Sequence, residues 1–245
     1  MFSLQGCNDM ARLPRLVLPN QPLHIMHRGN NRQDIFENEE DMARILSDIK
    51  ESLSKADCHL HAYVIMTNHL HLLLTPKDKD ELTVFMQSMT NRYVRYFNAG
   101  RKRTGTIWEG RFKSCLVDSD NYLFTLYKYI EMNPLKAGMV EDLQEYRWSS
   151  YHHNALGKQD PLITEHPLYL ELGNTKKERG VCYQLMMDKI ALGNENQNIT
   201  DATMRGEALG SEKFQDWVCK QAGRPAVLKP HGGDRKSAEY QNQVG

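Results

Sequence analysis

Two runs of β-forming residues, 60–66 and 69–75, are separated only by Thr67 and Asn68, and Pro76 stops the second. Strands joined by so short a polar link pair antiparallel, because a parallel pair needs a crossover of about a dozen residues or more. This hairpin sits in the middle of a longer order. Residues 22–28, partly apolar and bounded by Pro22 and Gly29, read as a strand. Residues 37–54 carry Met42, Ile45, Leu46, Ile49 and Leu53 at helical spacing, with acids near the start where a helix dipole favours them. After the hairpin, Leu82, Phe85, Met86, Met89 and Tyr93 mark a second amphipathic helix over 80–98. A fourth strand is expected over 111–117 and a third helix over 119–132, with Asp118 or Ser119 as its N-cap and Asn133-Pro134 as its stop. The order is β-α-β-β-α-β-α. Its first six elements form the split-βαβ, ferredoxin-like pattern of an α+β domain. An antiparallel sheet with its helices on one face leaves the other face open to a ligand.

Beyond this unit the chain reads as four stretches. Residues 1–10 are expected to be a disordered extension, 11–156 the ferredoxin-like domain, 157–222 a separate helical appendage, and 223–245 a flexible basic tail. The appendage's best helices span 176–192 and 211–221. With 40% hydrophobic and 25% charged residues the chain is an ordinary soluble protein. No run approaches the ~18 apolar residues of a membrane span, and the N-terminus lacks the apolar core of a secretory signal. The five cysteines are widely spaced and include no Cys-x-x-Cys pair, so neither a zinc ribbon nor a disulfide framework is indicated. Buried thiols in a reducing cytoplasm are the simple reading. No glycine-rich nucleotide-binding loop is present.

The formal net charge is zero, but the basic residues are not evenly spread. Residues 91–113 hold seven basic residues and one acid, interleaved with Tyr93, Tyr96, Phe97, Trp108 and Phe112; residues 11–33 hold four arginines and no acid. Such a mixture suits phosphate neutralisation and base stacking, and it equally suits a solvated helix face and loop.

Two His-x-His pairs occur, His59/His61 and His69/His71. Side chains alternate along a strand, so each pair can point two imidazoles to one face as half of a metal site. Spacing alone does not choose between them, and ordinary surface or partly buried histidines explain either. On the third helix, Tyr129 and Asn133 are four residues apart and share a face. Tyr129 lies roughly 110° from the centre of the apolar stripe formed by Leu123, Leu126, Tyr127 and Ile130, so it is not an obvious core residue. A helix-edge tyrosine followed by an ordinary Asn-Pro terminator is the bland alternative.

Five short segments resemble the REP-associated tyrosine transposases, a branch of the single-tyrosine HUH transposases. They are PLHIMHRGNNR at 22–32, AYVIMTNHLHLLL at 62–74, GRFKS at 110–114, YIEMNPLKAGMV at 129–140 and RWSS at 147–150, in that order. The resemblance implies that His69 and His71 are metal ligands and Tyr129 the nucleophile. Asn133 would be the third ligand, where related transposases often carry Gln. His59 and His61 do not align with the family's metal pair. The implied cofactor is Mg²⁺ or Mn²⁺, with Zn²⁺ compatible. The implied reaction is metal-dependent cleavage and transfer of single-stranded DNA through a 5′-phosphotyrosine, and the implied substrate carries hairpins from repetitive extragenic palindromes. Arg28, Asn30, Asn31 and Arg32 would then contact bases, and Arg111, Lys113 and Lys136 phosphates; a plain Asn-Asn turn is the alternative for Asn30 and Asn31. The segment 213–220 and the basic residues Arg224, Lys229, Arg235 and Lys236 would grip a hairpin stem. The protein would act as a monomer or homodimer, with no nucleotide cofactor and no membrane. A ferredoxin-like RNA- or single-strand-binding module that does not cleave is the rival reading, although the strands lack the paired aromatics such modules use.

Overall fold

The computed structural model describes residues 14–228; the expected extension at 1–10 and the tail beyond 228 lie outside them. The leading elements are β1 (Leu23–Arg28), α1 (Glu39–Leu53), β2 (Cys58–Ile65), β3 (His69–Pro76), α2 (Lys79–Arg101), β4 (Lys113–Val117) and α3 (Ser119–Glu131). This is the βαββαβ unit expected from the sequence, followed by the third helix. The fourth strand starts at Lys113 rather than at 111, because the chain turns at Gly110 with φ +61°. Asn38 and Asp78 cap α1 and α2 by accepting backbone N–H groups of their first turns.

The sheet order is β2-β3-β1-β4-β5, antiparallel except at its last pair. Alternation along the strands builds two cores. Leu23, Ile25, Leu70, Leu72, Leu74 and Leu116 face α1 and α2, where Ile45, Ile49, Phe85, Met89 and Tyr93 cover them. Ala62, Val64, Leu73 and Val117 face the other way. That second face is apolar over most of its area, so it is roofed rather than left open. Leu123, Leu126, Tyr127 and Ile130 of α3 cover it together with residues of later helices.

Those later elements are α4 (Asn133–Lys136), α5 (Tyr151–Asn154), α6 (Pro167–Leu170), α7 (Lys176–Lys189), α8 (Glu195–Arg205), β5 (Ala208–Leu209) and α9 (Glu212–Ala222). The segment expected as a separate helical appendage is built into the sheet. β5 adds a fifth strand parallel to β4, with Leu116 opposite Ala208. Tyr183 and Met187 of α7 and Ile199 and Ala202 of α8 complete the second core. α8 and β5 were not anticipated from the sequence. No helix among the described residues is long and apolar enough to cross a membrane.

Part of the basic run 91–113 works inside the fold. Arg92 pairs with buried Asp48, and Arg101 with Glu37 and buried Asp41, so these two arginines fasten α2 to α1. Tyr93, Phe97 and Trp108 are core residues with no face free for a base.

One buried acid ties α3 to the helices behind it. The carboxylate of Glu131 accepts hydrogen bonds from Ser150 Oγ (2.5 Å), Asn154 Nδ2 (2.8 Å) and Tyr183 O–H (2.6 Å). Burial pushes its pKa up from 4.5 to about 7, against the pull of those three donors. Between those two pH values the folded chain holds the proton more tightly than the unfolded chain does. Stability owed to this group therefore falls as pH rises from 4.5 through about 7. Melting curves of the parent and of Glu131→Gln across this range should show the parent losing ground relative to the variant as pH rises; parallel curves would contradict the assignment.

Candidate active site

The site is set by strand register. In the β1–β3 pair, Met26 stands opposite His71 and Arg28 opposite His69, and opposed residues share a face. His24, Met26, Arg28, His69 and His71 therefore lie on the second face of the sheet. The His69 and His71 rings are 5.0 Å apart at 84°. His69 Nδ1 lies 2.6 Å from Asn68 Oδ1, an acceptor, so Nδ1 carries the proton and Nε2 the lone pair. His71 uses its Nδ1 on His24 Nε2, 2.8 Å away and nearly coplanar, which again leaves Nε2. Burial lowers the pKa of His24 to about 3 and of His69 to about 4, and holds His71 well below 6.5. All three imidazoles are neutral at physiological pH, as metal ligation requires.

Helix α3 brings Tyr129 to the same place. Its ring meets the His71 and His24 rings edge-on, each at 5.6 Å. Its hydroxyl lies 3.3 Å from Thr200 Oγ. Burial raises the phenol's pKa above its ordinary value. Tyr129 therefore rests as a phenol. Lys136 Nζ stands 5.2 Å from the centre of the Tyr129 ring and donates to Asn196 Oδ1 at 2.6 Å. Burial, aided by Lys128, lowers its pKa to about 8. Asn133 donates its amide nitrogen to the carbonyls of Tyr129 (2.7 Å) and Ile130 (3.1 Å), closing the end of α3. Its oxygen is then the atom it can offer to a metal. Among the described residues no group of three or more His, Cys, Asp or Glu could hold a metal. The Nε2 atoms of His69 and His71 are the two nitrogen donors this face offers, and an N,N,O set with the Asn133 oxygen would suit a divalent ion.

The other His-x-His pair is accounted for by packing. His61 engages Thr164 O (2.7 Å) through Nδ1 and Thr75 Oγ (2.9 Å) through Nε2, which uses both nitrogens. His59 is exposed.

The expected nucleic-acid residues fall in three places. Asn30, Asn31 and Arg32 form an exposed 3₁₀ turn beyond β1. Asn31 (φ 52°) and Arg32 (φ 57°) both occupy the left-handed region. Asn68 clasps this turn: its carbonyl accepts from Gly29 N (2.8 Å) and its side-chain nitrogen donates to Arg32 O (3.1 Å). A Cβ at position 29 would lie 2.4 Å from Gln33 O, so only glycine fits there. Arg28, Arg111 and Lys113 line a cavity of about 130 Å³ with Met26, His27, Glu109 and Met204. Arg28 is held there by Glu109 at 2.7 Å. Lys136 stands apart from these, beside Tyr129. Sequence reasoning gave no role to His24, Thr200 or Thr203. His24 Nδ1 lies 2.8 Å from Thr203 Oγ. His24 does fall within the segment 22–32, and its position two residues before Met26 was the available signal.

Residues 18–133 match the family model described as IS200-like transposase. A protein of Haemophilus influenzae named as a REP-associated tyrosine transposase is 30% identical over 103 residues, which is 38% of this chain. The match spans 58% of that relative's length. A REP-associated tyrosine transposase solved bound to a REP hairpin aligns with a TM-score of 0.50 at 17% identity, covering 65% of this chain and 93% of its own. At that identity the likeness is one of fold.

The two histidine pairs predict different behaviour in Mn²⁺ titrations followed by calorimetry. His69→Ala and His71→Ala should each abolish measurable binding, and His59→Ala should bind as the parent does; loss of binding in His59→Ala would move the site to β2.

Proposed function

We propose, on the match of residues 18–133 to the IS200-like transposase family model, that the chain cuts and rejoins single-stranded DNA beside REP-type hairpins through a covalent 5′-phosphotyrosine on Tyr129. The observation that carries this reading is the convergence of Tyr129 with His69 and His71 on one face of the sheet.

A divalent ion, Mg²⁺ or Mn²⁺, held by His69, His71 and Asn133 would polarise the scissile phosphate and stabilise the charge that develops on it. The chain's own residues do the rest. Tyr129 is a phenol whose ordinary pKa is about 10, and burial raises it further, so it becomes a nucleophile only when a phosphate is held in line with it. Its oxygen bonds to phosphorus as the bond from phosphorus to the 3′-oxygen breaks. The phenol gives up its proton and the departing 3′-oxygen takes one up. The phosphotyrosine keeps the bond energy, so a DNA 3′-hydroxyl can reverse the step at a new end without a nucleotide cofactor. Lys136, 5.2 Å from the Tyr129 ring centre, would neutralise the phosphate during attack. Arg28, Arg111 and Lys113 would guide the backbone along the neighbouring cavity, and Asn30, Asn31 and Arg32 would meet base edges.

The test is a labelled single-stranded hairpin incubated with the protein and Mn²⁺, then run on a denaturing gel. The parent should give a DNA–protein adduct, and Tyr129→Phe should give neither adduct nor cleavage. Cleavage that survives in Tyr129→Phe would overturn the covalent mechanism. Binding without cleavage by the parent would favour a non-cleaving module.

A further inference from the structure

Helix α8 lies outside the family-matched residues, yet three of its side chains touch three parts of the candidate site. Asn196, Thr200 and Thr203 are spaced i, i+4 and i+7, so they form one stripe along the helix. Asn196 Oδ1 is 2.6 Å from Lys136 Nζ, Thr200 Oγ is 3.3 Å from the Tyr129 hydroxyl, and Thr203 Oγ is 2.8 Å from His24 Nδ1. We infer that α8 is a positioning wall of the active site, which orients the lysine, the nucleophile and, through His24, the His71 ligand. This inference rests on the function proposed above.

The proton count gives the stripe its direction. Thr200 donates its hydroxyl proton to Asn196 O (2.8 Å), and Thr203 donates its own to Ile199 O (2.7 Å). Both hydroxyls are thereby locked against the helix and turn only lone pairs toward the site. Asn196 likewise presents its oxygen. The stripe is thus a row of three acceptors facing three donors: an ammonium, a phenol and an imidazole N–H.

The consequence is sharpest at Thr203. His24 must carry its proton on Nδ1 to meet the Thr203 acceptor, so its Nε2 is a lone pair. His71 must then donate from Nδ1 to that lone pair, across 2.8 Å, and its Nε2 is left unprotonated. Without Thr203 the two-histidine pair has no preferred direction. The reversed arrangement puts a proton on His71 Nε2 and closes it to a metal. Thr203 and His24 are therefore positioning residues that act through His71, and Thr200 is one that acts on the rotation of the Tyr129 hydroxyl.

Three variants of the full chain separate this from simple packing: Thr203→Val, Thr203→Ser and Thr200→Val. Long-range ¹H–¹⁵N spectra report which nitrogen of His71 is protonated, and calorimetry reports Mn²⁺ affinity. Thr203→Val should populate the His71 Nε2–H form and weaken Mn²⁺ binding by about 10- to 100-fold. Thr203→Ser should restore both. Thr200→Val should bind Mn²⁺ as the parent does but form the DNA adduct more slowly in a single turnover. If Thr203→Val melts too early to study, Thr203→Ala removes the same acceptor with less crowding. A Thr203 variant lacking the hydroxyl that keeps the parent's tautomer and Mn²⁺ affinity overturns the inference. A parent that binds no Mn²⁺ overturns the metal assignment instead, and the His71 tautomer still decides the role of Thr203.

Discussion

The register between β1 and β3 is the constraint on which the rest depends. Met26 opposite His71 places His24 on the diagonal, within one hydrogen bond of His71. A slip of one residue would turn every side chain of a strand to the other face. His69 and His71 would enter the core under α1 and α2, and Leu70 and Leu72 would emerge beneath Tyr129. The apolar side resists that slip most strongly. Leu70, Leu72 and Leu74 are fully buried, and each is worth about 1.5–3 kcal/mol in burial. The histidines are held in position largely by the leucines between them.

The roof over those histidines is held as firmly as the floor. Tyr129 sits on α3 between Tyr127, Ile130 and Glu131, all buried, so its backbone has little freedom to shift. Glu131 binds partners from α5, α7 and the segment before α5. Lys128, one residue before Tyr129, donates to the carbonyls of Met187 and Ile190 at the end of α7. Apolar packing, buried Glu131 and half-buried Lys128 thus fix the helix on either side of the residue that must reach the substrate. Losing one partner of a buried group such as Glu131 costs about 1–3 kcal/mol, a large share of an ordinary domain's stability.

Where apolar residues recur at a strand or helix period, the sequence announced the structure. The hairpin, the two amphipathic helices and the α3 stripe are local patterns, and the offset of Tyr129 from that stripe followed from helical geometry alone. The choice of His69 and His71 over His59 and His61 did not, because it depends on what each ring meets. His61 has no nitrogen to offer because Thr75 takes one and Thr164, far along the chain, takes the other. α8 escaped notice for a related reason. Its buried side includes Ile199 and Ala202 but also Thr203, with Asn196 and Thr200 partly covered, so hydrophobicity does not mark its inner face. β5 is two residues long and exists only because β4 gives it an edge to pair with. The role of His24 needed the register itself, which links residues 47 positions apart.

The turn at Asn30–Arg32 has a consequence of another kind. Two consecutive non-glycine residues in the left-handed region are an uncommon arrangement, which persists only when the surroundings hold it. Here Asn68 holds it from both ends while its side-chain oxygen also orients His69. The loop and the histidine are therefore clasped by one residue and move as one piece. A partner arriving at the loop meets a surface already in its final shape, with little entropy left to lose on binding. Such a surface discriminates by fit: a correct partner gains the full set of contacts at once, and a wrong one cannot be accommodated by adjustment.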